Sequence, residues 1–409
     1  MRAVQLVSCC SLMLLIGGQA NADASPERFA GAPTTANVPE GDGECRTPSP
    51  ANLVLGGYIE TYWAWNFARP ANSITYNRFP DNRHNSFTLG NAVLDGAFSV
   101  DRVTGRIALQ SGSVPYTQYA TTEARRDTQG ANPSDGSAWR FLQQATVGYR
   151  TSQHAGLLLE AGLMLSPIGP EGVAVHEQWN WSRSNLFYAL PMQQTGVRAT
   201  YPVSTNLSVQ ASVFNGWYGV RDNNGDKSVG AALVYRLPQR LTTSLRYLGG
   251  VERDAKAPEG RPWRHLVDAY ILLWPSQRVA LLLQGDAGFE MTRFGLSSWV
   301  GGALYARVQP ARRLYLSIRA DGYRQLVAHN SAGAADPMLF AAQGVVSGTA
   351  TVDVRPQDHL SVRLEYRHDQ GATPLYFRGE VLGSGSASNP YEPNSHSQDT
   401  ILLGATAWF

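Results

Sequence analysis

From residue 53 onward the chain is written in short stretches in which apolar and polar side chains alternate. The clearest sets Leu360, Val362, Leu364 and Tyr366 against Ser361, Arg363, Glu365 and Arg367. Leu314, Leu316, Ile318 and Ala320 alternate in the same way with Ser317, Arg319 and Asp321, and Leu241, Thr243, Leu245 and Tyr247 with Thr242, Ser244 and Arg246. Leu207, Val209, Ala211 and Val213 alternate with Ser208, Gln210 and Ser212. A period of two belongs to a strand with one apolar face, not to a helix. Stretches of about ten residues are long enough to cross a bilayer at a tilt. Cost then decides the parity. An arginine on the lipid face near the midplane costs about 2 to 4 kcal/mol, and the stretch from 360 would place two there. The arginines face inward.

Counted in this way, strands fall near 53–66, 86–99, 102–112, 139–150, 156–166, 190–201, 206–217, 228–237, 240–250, 264–274, 278–289, 298–309, 313–324, 346–355, 359–369 and 398–409. That makes sixteen, with 14 and 18 as alternatives, and an even number returns both chain ends to one side of the membrane. The predicted fold class is all-β, an antiparallel up-and-down barrel. The long connections, 67–85, 113–138, 167–189, 218–227, 251–263, 290–297, 325–345 and 370–397, are polar and rich in Gly, Asn, Asp and Pro, as extracellular loops are. Five prolines mark the other side. Pro202, Pro238, Pro275, Pro310 and Pro356 lie 36, 37, 35 and 46 residues apart. A proline in the second place of a tight turn ends a strand, so each is predicted to sit in a short periplasmic turn.

Aromatic residues gather at the predicted strand ends: Tyr58, Tyr62, Trp63, Trp65, Tyr201, Tyr235, Trp274, Tyr366, Trp408 and Phe409. Girdles at the two membrane interfaces would have this pattern. The last strand places Ile401, Leu403, Ala405, Ala407 and Phe409 on one face. A terminal phenylalanine on such a face resembles the signature read by the barrel-assembly machinery of bacterial outer membranes, and Phe409 is the predicted assembly signal.

Composition agrees with a barrel. Among 409 residues only 16% are charged and 40 are glycine, and a net charge of +2 gives no nucleic-acid footprint. Lys227 and Lys256 stand against 32 arginines, which reads as coding bias rather than a role. Residues 1–22 read as a secretory signal, with Arg2, an apolar stretch from Leu6 to Ile16 and Ala20-Asn21-Ala22 as the cleavage site. Cys9 and Cys10 would leave with it. Cys45 is then alone in a Pro- and Gly-rich leader over 23–52, so no internal disulfide is expected. Beyond the signal no apolar run reaches the length of a membrane helix.

Residues 53–409 resemble the outer-membrane β-barrel porin family 2, the OmpL-like porins. The segments that carry the likeness are Leu55-Gly-Gly-Tyr-Ile-Glu-Thr-Tyr62, Gln178-Trp-Asn-Trp-Ser-Arg-Ser184, Gln194-Thr-Gly-Val-Arg-Ala-Thr-Tyr-Pro202, Phe214-Asn-Gly-Trp217, Arg363-Leu-Glu-Tyr-Arg-His-Asp369 and Ser397-Gln-Asp-Thr400. The resemblance implies a barrel in the bacterial outer membrane and says less about any solute.

A barrel of sixteen strands is too wide for side chains to fill and leaves an aqueous channel unless something plugs it. By parity the candidate pore-lining charges are Glu60, Asp95, Arg106, Glu160, Arg198, Arg246, Asp268, Asp286, Arg307, Arg319, Asp321, Arg363, Glu365 and Arg367. Pairing across neighbouring strands to support the wall is the competing role for each. In sixteen-stranded porins the third extracellular loop commonly folds into the lumen. Here that loop is 167–189, and Glu171, His176, Glu177 and Arg183 are its candidate constriction residues; the alternative is a loop that caps the mouth or packs on a neighbouring subunit. Too few histidines cluster for a metal site, and no nucleophile elbow, phosphate loop or zinc-protease helix is present. No cofactor or catalytic residue is assigned. The expected activity is passive diffusion of small hydrophilic solutes or ions, with outer-membrane lipid, the assembly machinery and two further copies of the chain as partners. A barrel hydrolase and a non-conducting adhesion or scaffold barrel are the alternatives.

Overall fold

A computed structural model describes residues 52–119, 136–152, 156–217, 224–339, 343–386 and 388–409. The expected signal segment and all but the last residue of the expected leader lie outside the described residues. The strands are β1 (Asn52–Asn66), β2 (Ser86–Val100), β3 (Val103–Ser111), β4 (Leu142–Arg150), β5 (Leu158–Leu165), β6 (Gln193–Pro202), β7 (Leu207–Phe214) and β8 (Ser228–Leu237). There follow β9 (Leu241–Val251), β10 (Trp263–Ser276), β11 (Val279–Thr292), β12 (Gly295–Ala311), β13 (Leu314–Leu326), β14 (Gly344–Gln357), β15 (Leu360–Gly371) and β16 (Ser397–Trp408). Each pairs antiparallel with its sequence neighbours, and β1 pairs with β16 from Tyr58↔Trp408 to Asn66↔Thr400, which closes the barrel. Closure removes every free edge of the barrel sheet, the condition for strands to exist in hydrocarbon, and a separate two-residue ribbon pairs His329 with Ala334 and Asn330 with Gly333 in the loop after β13. No described helix is long and apolar enough to cross a membrane.

The alternation sorts as cost requires. Ile318 is 61% exposed on the outer face, whereas its neighbour Arg319 is 2% exposed inside. Leu304 and Leu364 face out beside the buried Tyr305 and Glu365 in the same way. One long connection is absent: the stretch predicted as loop 290–297 is mostly strand. β11 and β12 pair as far as Thr292↔Gly295 and turn through Arg293 and Phe294. Glu290 points inward and binds Arg253 and Arg264 at 2.6 Å each, which holds the tall hairpin upright.

The prolines also need correction. Pro238 does occupy the second place of a turn, where Arg240 N–H donates to the Leu237 carbonyl. Pro202 remains in the ladder opposite Ser208. Pro275, Pro310 and Pro356 sit in bulges one step earlier, where register shifts between Leu273 and Ser276, Val308 and Ala311, and Val354 and Gln357. A bulge leaves one residue outside the ladder, the place where a missing N–H costs least. The residue before each, Trp274, Gln309 or Arg355, donates to the carbonyl of Arg240, Arg278 or Arg313 in the preceding turn at 2.8 to 2.9 Å. The prolines therefore mark the periplasmic rim although they do not make most of its turns.

Candidate functional site

The connection between β5 and β6, residues 166–192, runs inside the barrel, and every side chain from Gln178 to Pro191 is buried. A loop drawn into a barrel brings unpaired backbone N–H and C=O groups with it, and each must find a partner. The wall supplies charges of both signs. Its carboxylates take the N–H groups: Glu60 accepts from Val175 at 2.6 Å, Asp268 from Gly169 at 3.1 Å, Asp321 from Asn185 at 2.7 Å, and Glu365 from Trp181 and Ser182 at 2.6 and 2.9 Å. Its arginines take the carbonyls: Arg363 donates to Val175 and Asn180, and Arg319 and Arg367 both donate to Arg183. Arg246 reaches the Gly169 carbonyl at 3.5 Å.

Within the loop, Arg183 donates to the carbonyls of Gly172, Val173 and Trp181, which ties its two limbs together. Glu171 accepts from Ser184 and lies 3.5 Å from Arg319. Ser184 in turn caps the short helix α1 (Asn185–Ala189), its hydroxyl accepting from Phe187 N–H. Burial of Tyr188 in this loop pushes its phenol up to about 12. At the lower end His176 stacks on Trp408 with centroids 5.0 Å apart and lies 5.1 Å from Tyr58. Trp181 packs with Tyr62 and Leu402.

Those contacts revise two expectations. Tyr58, Tyr62 and Trp408 do not belong to a membrane girdle; they point inward and seat the loop. Trp274 joins the interior too, packing beside the main buried cluster. Among the described residues, the outer aromatic band includes Trp63, Tyr201 and Tyr366 and also Tyr247, Trp263, His265 and Phe289, where Tyr247 and His265 are hydrogen-bonded at 2.9 Å. Of the four candidate constriction residues, Glu171 and Arg183 hold the loop in shape, His176 is stacked, and Glu177 keeps 37% of its side chain exposed.

The remaining candidates are also inside the barrel. Asp95 and Arg106 pair with each other, as do Glu160 and Arg198 at 2.9 Å, Asp286 accepts from the Trp299 indole, and Arg307 approaches Asp353. Parity alone could not separate anchors from free charges, because both face inward. The loop sequence held the missing signal: a run of polar backbone with four aromatic residues, Trp179, Trp181, Phe187 and Tyr188, needs both an apolar seat and hydrogen-bond partners.

The loop lies against the wall from β10 through β16 to β1, where inward side chains such as Leu282, Tyr305, Ser361 and Arg363 are fully covered. Along β4, β6, β7 and β8 the inward Thr146, Thr200, Gln210, Ser212 and Ala232 stay half-buried. A small cavity between the loop and this second wall is lined by Ile168, Gln194, Gln210, Ser212 and Arg246. Lower down, Arg106 on β3 and Glu177 on the loop keep 42% and 37% of their side chains exposed. The first loop, 67–85, closes over the top through Arg78, which binds Asp81 at 2.7 Å and Asp369 at 3.3 Å. Among the described residues no group of side chains could hold a metal ion.

A closed sixteen-stranded barrel with an apolar outer belt and a polar interior narrowed by its third loop is a transmembrane barrel of the porin class. Within that class the chain belongs to the beta-barrel porin-2, OmpL-like family, which it matches over residues 52–409. No curated protein matches its sequence. Solved structures share the fold at low identity. An anion-selective porin from Comamonas acidovorans aligns with TM-score 0.56 at 11% identity, covering 88% of this chain and 100% of that one. The outer-membrane channel DcaP of Acinetobacter baumannii gives 0.54 at 10%, covering 88% and 97%. A trimer form of OmpT from Vibrio cholerae gives 0.54 at 10%, covering 88% and 100%.

Proposed function

We propose that the protein conducts small hydrophilic solutes and ions passively across the outer membrane, through the part of the lumen that the third loop leaves open. The observation that carries this reading is the asymmetry of the interior. The loop is pinned by wall charges to one side, while small polar side chains from β4 to β8 remain half-exposed on the other. Glu177 on the loop and Arg106 on β3 are both partly exposed and add charges of opposite sign to this space. Asp95, Glu160, Arg198 and Arg246 line the wall around that path, and the buried charges behind the loop, Asp286 among them, fix its width.

On this reading residues 1–22 direct export and are cleaved, 23–52 form a periplasmic leader, and Phe409, 72% exposed at the end of β16, presents the assembly signal. The assembled form is a trimer in outer-membrane lipid. Reconstitution into planar bilayers tests the function. Discrete ohmic current steps in potassium chloride are expected; a correctly folded barrel without steps would leave the scaffold alternative.

A further inference from the structure

Most interior charges cancel in place. Asp95 meets Arg106, Glu160 meets Arg198, Asp321 meets Arg319 and Asp369 meets Arg367. One group does not. At the periplasmic end of the lumen Arg307 (β12), Arg355 (β14) and Arg363 (β15) all approach the same atom, Asp353 Oδ2, at 3.5, 3.1 and 3.5 Å. Ser361 occupies the other oxygen at 2.7 Å. Three guanidinium groups thus share one carboxylate. Higher on this wall Glu60 and Glu365 lie close enough to Arg363 to balance it, and Arg363 already donates to the third loop, so Arg307 and Arg355 are the pair left to share Asp353.

The group is built as well as charged. Tyr315 lies between two of the arginines, 4.0 Å from Arg307 and 5.0 Å from Arg355, and its hydroxyl accepts from Gln309. Cation–π contact with one ring holds the two forks together. Arg307 Nε and Arg363 Nη2 are buried without hydrogen-bond partners among the described residues. Buried donors of that kind are normally satisfied. Arg307 and Arg355 keep 17% and 16% of their side chains exposed, and both point into the lumen beneath the loop. The periplasmic turns add exposed Arg102, Arg240, Arg278 and Arg312 against Asp101 and Asp358, so the field of this mouth is positive.

We propose that Arg307 and Arg355 beside Asp353 form an anion subsite at the periplasmic exit of the pore, taking solutes that carry a compact oxyanion such as phosphate, sulfate or carboxylate. A planar guanidinium offers paired N–H donors matched to such groups, and a positive vestibule raises their local concentration. The inference rests on the channel reading and gives it a solute class.

The test uses the full chain, purified and reconstituted, with inorganic pyrophosphate as probe. In a potassium chloride gradient the wild type is expected to favour chloride, and millimolar pyrophosphate on the periplasmic side is expected to reduce its single-channel current. Arg307→Gln with Arg355→Gln should weaken that block at least tenfold and move the reversal potential toward cation preference, whereas Arg355→Lys should keep most of the selectivity. Unchanged block and reversal potential in a conducting double variant would overturn the subsite. A wild type that does not conduct sinks the channel reading instead. Calorimetric binding of pyrophosphate, present in the wild type and lost in the double variant, then upholds the subsite by itself, and absence of binding to the wild type refutes it.

Discussion

The indole of Trp181 occupies the space that a side chain at Gly404 would fill: a Cβ there would stand 2.4 Å from the ring. Gly404 lies on the inward parity of β16, so the third loop reaches the wall only because that residue has no side chain. Gly404→Val should unseat Trp181 while the barrel still closes. Losing the burial of a tryptophan costs about 3 to 5 kcal/mol, enough to displace the lower limb of the loop. Single-channel conductance should rise. An unchanged conductance would mean that the loop does not depend on this seat.

Glu177 and Arg183 should behave differently although both belong to one loop. Glu177 faces open lumen, so Glu177→Gln should shift the reversal potential in a salt gradient toward anions and leave the current quiet. Arg183 is buried and satisfies three carbonyls, each of which costs about 1 to 3 kcal/mol when abandoned. Arg183→Ala should therefore loosen the loop and produce flickering current. The same quiet selectivity shift in both variants would contradict these roles.

The barrel was legible in the sequence because lipid enforces the alternation: Arg363, Glu365 and Arg367 have one affordable side. The errors arose where local pattern does not carry the deciding energy. Pro310 reads as a strand end but sits in a bulge, since its missing N–H needs only one unpaired site, not a turn. The stretch 290–297 is polar enough for a loop, yet Glu290 finds Arg253 and Arg264 and the strands continue. At the site, Glu60 and Glu365 read as pore charges because parity reports the face and not the partner. Their partners are backbone N–H groups some 115 and 184 residues away in sequence, which no periodicity encodes.

The lipid face gives a quantitative check. Ile318 lies outward near the middle of β13, and Ile318→Arg should cost about 2 to 4 kcal/mol of insertion. Leu296 also faces outward but stands beside the turn of the β11–β12 hairpin, so Leu296→Arg should cost about 0 to 1 kcal/mol. Urea titration of folding into phospholipid vesicles measures both. Equal costs would place the membrane elsewhere on the barrel.

The first loop carries an acid-sensitive tie. Burial pushes the Asp81 carboxyl up, but Arg78 at 2.7 Å outweighs it and holds the carboxyl below its ordinary range. A depressed carboxyl stabilises the folded loop at every pH above its ordinary value and loses that contribution only as pH falls through the lower folded value. Wild-type current should accordingly stay steady from neutral to mildly acidic pH and begin to flicker only below the ordinary carboxylate range of about 3.9. Asp81→Asn removes the charge at every pH and leaves Arg78 with Asp369 at 3.3 Å, so flicker and faster tryptic cleavage at the exposed Arg83 should appear already at pH 7. If the wild type and Asp81→Asn respond alike from pH 7 downward, the first loop is held by its apolar contacts, Phe79 against Phe187 and Tyr188, and not by this ion pair.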